Sequence, residues 1–210
     1  NFVQVDKDAI PAADSYLIWK GSSTADRSHR YGHLQFSGLP TRLVRAQAAA
    51  TAPIIDGDLS DWPAIGETVL NQYTAAYVAP RIIPSPNDSS AVLRAMWDPN
   101  YLYFGIRVTD DRIVGDSAEI WHDDEVEIGL DGLHDHRHTV PGDDHQFTVN
   151  PDRRVTDLGT PLGGTLLGIR TDLTGWTVEW AIPAETLNAG PLVTNKLMGF
   201  TWGLHDDDDG

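Results

Sequence analysis

Carboxylates and imidazoles carry most of the chemistry that this sequence offers. Asp56, Asp58 and Asp61 recur through a glycine-containing turn, a spacing that presents hard oxygen ligands to Ca2+. Asp110-Asp111, Asp143-Asp144 and the run Asp206, Asp207, Asp208, Asp209 are further calcium candidates, because adjacent carboxylates repel one another unless a cation sits among them. His134, His136 and His138 alternate, with His145 nearby. On an extended segment these imidazoles share one side and suit zinc, nickel or copper; the bland alternative is a polar, pH-responsive hairpin tip. Acidic pairs are abundant, yet no two stand out as a glycosidase acid and base, and no G-x-S-x-G, P-loop or Rossmann glycine pattern occurs. The expectation is a chain that is not an enzyme.

Charge and composition narrow the partners. With 15 Lys+Arg against 31 Asp+Glu in 210 residues, the net charge is −16 at pH 7. Such a chain is repelled by nucleic acid and by anionic membrane surfaces, so nucleic acid is not an expected partner. No apolar run approaches the ~18 residues of a membrane span. A hydrophobic content of 40% with seven Trp excludes a disordered acidic tail. The absence of Cys removes disulfides, thiolate metal sites and thiol nucleophiles.

The elements that must position these groups read as strands. Ala91 to Trp97 alternates apolar and polar, Asp98-Pro99-Asn100 makes a turn, and Tyr101 to Val108 returns as an aromatic and β-branched run, which together predict a hairpin. Glu125 to Asp131 puts Val126, Ile128 and Leu130 on one face; His145 to Val149, Gly175 to Ile182 and Leu197 to Leu204 continue the pattern. Short strands separated by Gly, Pro, Asn and Asp predict an all-β, two-sheet antiparallel β-sandwich of jelly-roll-like type. Pro183 to Leu187 is the one helical turn expected. Residues 1–38 hold a strand at Ser15–Trp19, a polar loop at Lys20–Arg30 and a strand at Tyr31–Phe36. Residues 39–52, rich in Ala and Thr, read as a linker, and 53–210 as the body.

From Pro53 onward the chain resembles the family 9 carbohydrate-binding modules. The resemblance rests on an ordered set: Ile55-Asp-Gly-Asp-Leu-Ser-Asp-Trp62, Met96-Trp-Asp-Pro-Asn-Tyr-Leu-Tyr103, Val108-Thr-Asp-Asp111, Trp121-His-Asp-Asp-Glu-Val-Glu-Ile-Gly-Leu-Asp131, Asp144-His-Gln-Phe-Thr-Val-Asn150 and Trp176-Thr-Val-Glu-Trp-Ala-Ile-Pro183. It implies Trp121 as a plate on which a sugar stacks, with Glu127, Gln146 and Asn150 as hydroxyl partners. An indole buries the apolar C–H face of a pyranose, while a carboxylate accepts and an amide both gives and accepts hydrogen bonds. It also implies structural calcium. Two positions depart from the family pattern: the loop Gly21 to Asp26 holds no second stacking aromatic, and Thr148 stands where an Arg can occur. A single plate implies weak affinity.

The closing strands that the family should have after residue 210 resemble residues 1–38 instead. The order is therefore permuted, or cut from a tandem array, or arranged for strand exchange with a neighbouring subunit. Two roles follow as expectations. One is a non-catalytic extracellular or cell-surface module that binds a glycan or polysaccharide. The other is a structural repeat or filament subunit joined to copies of itself through residues 1–38.

Overall fold

The computed structural model describes residues 44–64, 66–71, 73–75, 85–135 and 142–208 with side chains, and the backbone of three strands before them. It divides into two compact units, residues 1–43 with 135–138, and residues 44–134 with 139–210. In the first unit β1 (Val3–Gln4), β2 (Asp14–Ser23) and β3 (Asp26–Ser37) form an antiparallel sheet in the order β1-β2-β3. Strand pairing runs from Asp14↔Ser37 to Ser23↔Asp26, so most of the stretch expected as a polar loop is ladder, with a register shift between Gly21 and Ser23.

The second unit is a β-sandwich. Its strands are β4 (Gln47–Ala48), β5 (Thr68–Leu70), β6 (Ser89–Trp97), β7 (Tyr101–Asp110), β8 (Glu125–Asp131), β9 (Asp144–Val149), β10 (Val155–Asp157), β11 (Thr160–Pro161), β12 (Leu166–Asp172), β13 (Gly175–Pro183) and β14 (Gly199–His205). One sheet has the order β12-β13-β7-β6-β4, with β5 also pairing β6; the other has the order β11-β10-β9-β8-β14. All pairings are antiparallel except the short parallel one of β4 on β6. Residues 47–48, inside the stretch expected as a linker, are thus held at a sheet edge, and Val44 packs on the core. The segment Pro183–Leu187 continues from β13 into turns rather than a helix.

Alternation decides what lies between the sheets. Leu93, Phe104, Ile106, Trp176, Val178, Trp180 and Ile182 from one sheet meet Val126, Ile128, Leu130, Phe147 and Val149 from the other in one buried cluster. Full burial of each such side chain contributes about 1.5–3 kcal/mol. The opposite face of the first sheet is covered as well: Trp62, Met96, Tyr103 and Ala181 form a second cluster with Ile55 and Leu59. That cover requires a glycine below it, since a Cβ on Gly105 would lie 2.8 Å from Leu59 Cδ2 and 2.9 Å from Trp62. Being covered on both faces, β13 is buried along almost its whole length.

The cover is pinned at one point. Glu179 sits fully buried on the outward side of β13, and its Oε2 accepts from the backbone N–H groups of Asp56 (2.7 Å), Gly57 (2.5 Å) and Asp58 (3.2 Å). Its Oε1 accepts from Trp62 Nε1 at 2.5 Å. Three successive N–H groups converge because Gly57 adopts φ +89°, a conformation that a side chain would strain.

Candidate functional site

The outward face of the five-stranded sheet carries the polar groups that the inward alternation leaves over. Because Val126, Ile128 and Leu130 point into the core, Glu125 and Glu127 point out; because Phe147 and Val149 point in, Gln146 and Thr148 point out. The register sets Glu127 opposite Thr148 and Gly203, and Gly129 opposite Gln146 and Thr201. Gln146 Nε2 donates to Glu127 Oε2 at 2.8 Å along the diagonal. Next to them, a Cβ at Gly203 would meet nothing within 4 Å among the described residues. The result is a floor of small residues bordered by a carboxylate and an amide.

Trp121 stands beside that floor on the 3-10 turn Ile120–His122, just before β8. Ile120 is buried, whereas Trp121 is 49% exposed, the largest exposed side chain of the described residues. The turn is held from below by Asp123, which is wholly buried. Asp123 Oδ1 accepts from Ser117 N at 2.8 Å; Oδ2 accepts from Asn150 Nδ2 at 2.8 Å and from the Arg154 guanidinium. Arg154 also donates to Ala118 O (3.3 Å), and its backbone N–H donates to Asn150 Oδ1 (2.9 Å). Both ends of the Asn150 amide therefore face internal partners at a fully buried position, so its contact with the site runs through Asp123 and the Trp121 turn. Neither Asp123 nor Arg154 is distinguishable from a surface charge in the sequence alone.

Two titratable groups lie on opposite sides of this sheet, Glu125 on the face of the floor and His145 on the core side with Phe147. Glu125 is buried, with no hydrogen-bond partner for Oε2 among the described residues, and burial, together with the charge of Glu127, pushes its pKa up to about 8. His145 is buried against Phe147, ring centroids 4.8 Å apart and nearly parallel, and its Nδ1 lies 2.8 Å from Asp157 Oδ2. Burial alone would lower the His145 pKa, but the hydrogen bond and charge of Asp157 raise it above the usual imidazole value.

The acidic candidates divide. Asp56 and Asp58 both reach Arg170, each at 2.9 Å, while Asp58 Oδ1 caps Ser60 N and Asp61 Oδ2 accepts from Ile54 N. They spread around the Glu179 anchor. By contrast, Asp110 at the end of β7, Asp124 before β8 and Asp206 after β14 bring carboxylate oxygens within 4.8 Å of one another. Burial first, and then the surrounding aspartates, push Asp124 and Asp206 up to about 7 and raise Asp110. Asp207 contributes its backbone N–H to Asp124 Oδ1 (2.7 Å), and Asp208 adds charge beside Asp206. Asp143 is buried and accepts from Leu133 N at 3.1 Å; Asp144 begins β9 beside it. His134 has φ +55°, and its N–H donates to Asp131 O at 3.3 Å. His136, His138 and Asp209 lie outside the described residues.

Comparison with known proteins agrees with this geometry. Two solved structures of a carbohydrate binding module family 9 domain from Caldicellulosiruptor kristjanssonii, one with cellotriose and one with glucose, superpose with TM-scores of 0.62 and 0.63. In each case identity is 22% and 78% of each chain is covered, which establishes the shared fold. Among curated proteins, endo-1,4-beta-xylanase A of Thermotoga maritima is 28% identical and exoglucanase XynX of Acetivibrio thermocellus 27% identical, each over 97% of this chain. The chain spans only 19% and 18% of the lengths of those two relatives. The family model described as carbohydrate family 9 binding domain-like matches residues 55–210, and with the sandwich and its exposed tryptophan in place, the chain belongs to that family of non-catalytic carbohydrate-binding modules.

Proposed function

We propose that this chain binds the glucose-type units of a plant polysaccharide by stacking a pyranose ring on Trp121. The observation that carries the reading is an indole 49% exposed on a turn whose underside is fixed by Asp123, next to the hydrogen-bonded pair Glu127–Gln146. A soluble protein gains nothing in stability from an exposed Trp held in this way; a C–H face laid on it gains burial plus about 0.5–1.5 kcal/mol of stacking. Glu127 accepts from vicinal hydroxyls, and the Gln146 amide lends its carbonyl, a division of roles that matches a diol. Glucose and cellotriose in the structural neighbours, and attachment to xylanases and an exoglucanase in the relatives, support gluco-configured ligands and an extracellular setting. No helix among the described residues is long and apolar enough to cross a membrane.

Calcium is proposed as a structural ion at Asp110, Asp124 and Asp206. Two buried carboxylates and one half-buried one, crowded together, raise one another's pKa; hard oxygen donors on three strand ends suit Ca2+, which would tie β7, β8 and β14 together. The test of the main reading is titration calorimetry with glucose, cellotriose and xylan oligosaccharides in calcium buffer. Binding that falls at least about tenfold in Trp121→Ala supports it; no heat with any sugar and no effect of the variant refute it.

The structural alternative has one specific observation behind it. β14 is the last strand of its sheet, and its inward side chains Phe200, Trp202 and Leu204 are only half-buried, so the edge calls for a cover. Residues 1–38 supply such strands, in the same chain, in a preceding module or in a neighbouring copy. Matches that extend over 97% of this chain in the two relatives support reading it as a period of a tandem arrangement. Light scattering decides for polymer formation: chains that remain monomeric at all concentrations overturn it.

A further inference from the structure

We infer that Leu158, at the tip of the β10–β11 hairpin, forms a second, apolar contact for the sugar unit next to the one held by Trp121. This rests on the reading of Trp121 as the stacking plate. Strands β10 and β11 join through two residues, since Asp157 pairs with Thr160, and both of those residues have positive φ: Leu158 at +50° and Gly159 at +77°. Such a tip favours Asn-Gly or Asp-Gly, and a leucine there is strained. It is also 48% exposed, so neither the turn nor the core has a use for it.

Its position supplies one. The register Asp157↔Phe147, continued by one step, sets Leu158 opposite Gln146, and Leu158 N donates to Gln146 O at 3.0 Å. Leu158 thus extends the row Gln146, Gly129, Thr201 on the outward face of the sheet. Its neighbour Gly159 reaches Trp121, for a Cβ built there would lie 4.0 Å from Trp121 Cζ3. Asp157, one residue before the tip, is clamped by His145 Nδ1 (2.8 Å) and by Gln146 N (3.1 Å). An exposed leucine is held in a strained backbone, continuous with both the indole and the Gln146–Glu127 pair. A pyranose has an apolar face that such a methyl-bearing side chain covers, and an oligosaccharide supplies a further ring where a monosaccharide does not.

Leu158→Asn isolates the claim, because Asn accepts positive φ more readily than Leu and leaves the turn intact. Wild type, Leu158→Asn and Trp121→Ala are titrated with glucose and with cellotriose, with thermal melts alongside. The expected result is an unchanged or raised melting temperature, cellotriose affinity reduced about threefold to tenfold, and glucose affinity within about twofold of wild type. Cellotriose affinity equal to wild type in Leu158→Asn, with binding lost in Trp121→Ala, overturns the inference and leaves the Trp121 site standing. Equal losses on both sugars also overturn it, by placing Leu158 at the same subsite. Binding retained in Trp121→Ala refutes the underlying reading instead.

Discussion

Replacing Glu179 with Gln changes one atom at a fully buried position and removes the charge that gathers four donors. In the wild type, Oε2 holds three backbone N–H groups and Oε1 holds the Trp62 indole. Hydrogen bonds to a charged acceptor contribute about 1.5–3 kcal/mol each against about 0.5–1.5 kcal/mol for neutral ones. A Gln amide can keep its oxygen on the three backbone donors, but its NH2 then confronts Trp62 Nε1–H, and that orphaned donor alone costs about 1–3 kcal/mol. Together the loss is about 3–5 kcal/mol, which for a domain of this size lowers the melting temperature by roughly 6–20 °C. Calorimetric melting and urea unfolding measure it, and sugar titration serves as a control, because this anchor lies on the outward face of the other sheet. The exposed pairs of Asp56 and Asp58 with Arg170 provide the contrast: Asp56→Asn with Asp58→Asn costs less than about 1 kcal/mol. A Glu179→Gln protein within about 1 kcal/mol of wild type would refute the reasoning that this buried carboxylate organises the opening segment.

Asn150→Ala removes the donor to Asp123 and the acceptor of Arg154 N, so it lowers stability by about 2–3 kcal/mol and weakens sugar affinity by loosening the Trp121 turn; a side chain that only touched sugar would lower affinity with no change in melting. Calcium raises the melting temperature of chelator-treated protein, by the equivalent of about 2.7 kcal/mol at a hundredfold excess over the dissociation constant, and Asp124→Asn with Asp206→Asn abolishes that increment; an identical calcium response in the double variant counts against the site. His145, whose pKa is raised on folding, stabilises fully below the unfolded imidazole value and loses that contribution as pH rises through the folded one. Urea unfolding of wild type and His145→Gln therefore shows a difference that shrinks between pH 5.5 and pH 8.5; a difference that grows over this interval contradicts the assignment.

The strands with strong alternation were legible before the structure. Ala91 to Trp97, Asp98-Pro99-Asn100 and Tyr101 to Val108 became β6, its turn and β7, where Asp98 Oδ1 accepts from Asn100 N and Tyr101 N. Glu125 to Asp131 is β8 as read. The strands β5, β10, β11 and β12 are not legible in the sequence, since short or glycine-interrupted runs such as Leu166–Asp172 present no clean period of two. Glu179 occupies the polar phase of an alternating strand, a position that by itself signals no burial; the packing of residues 55–62 over that face buries it. Asp110 and Asp206 were each conspicuous, but their meeting with Asp124 joins three strand ends far apart in sequence, a convergence that no local spacing encodes. For the sugar site, the resemblance named Trp121, Glu127, Gln146 and Asn150, and the pleat explains why Glu127 and Gln146 share a face. It could not reveal that Asn150 is committed to Asp123, nor that a hairpin tip three strands along the sheet adjoins the indole.

The stacking platform is tested most directly by following the indole Nε1–H resonances of uniformly 15N-labelled protein while cellotriose is added. Among the described residues Trp121 is the exposed indole, whereas Trp176 and Trp180 are completely buried between the sheets, so the reading predicts a saturable shift of the Trp121 signal with those two unmoved. Saturable binding that leaves the Trp121 resonance in place, while perturbing groups elsewhere, would contradict it.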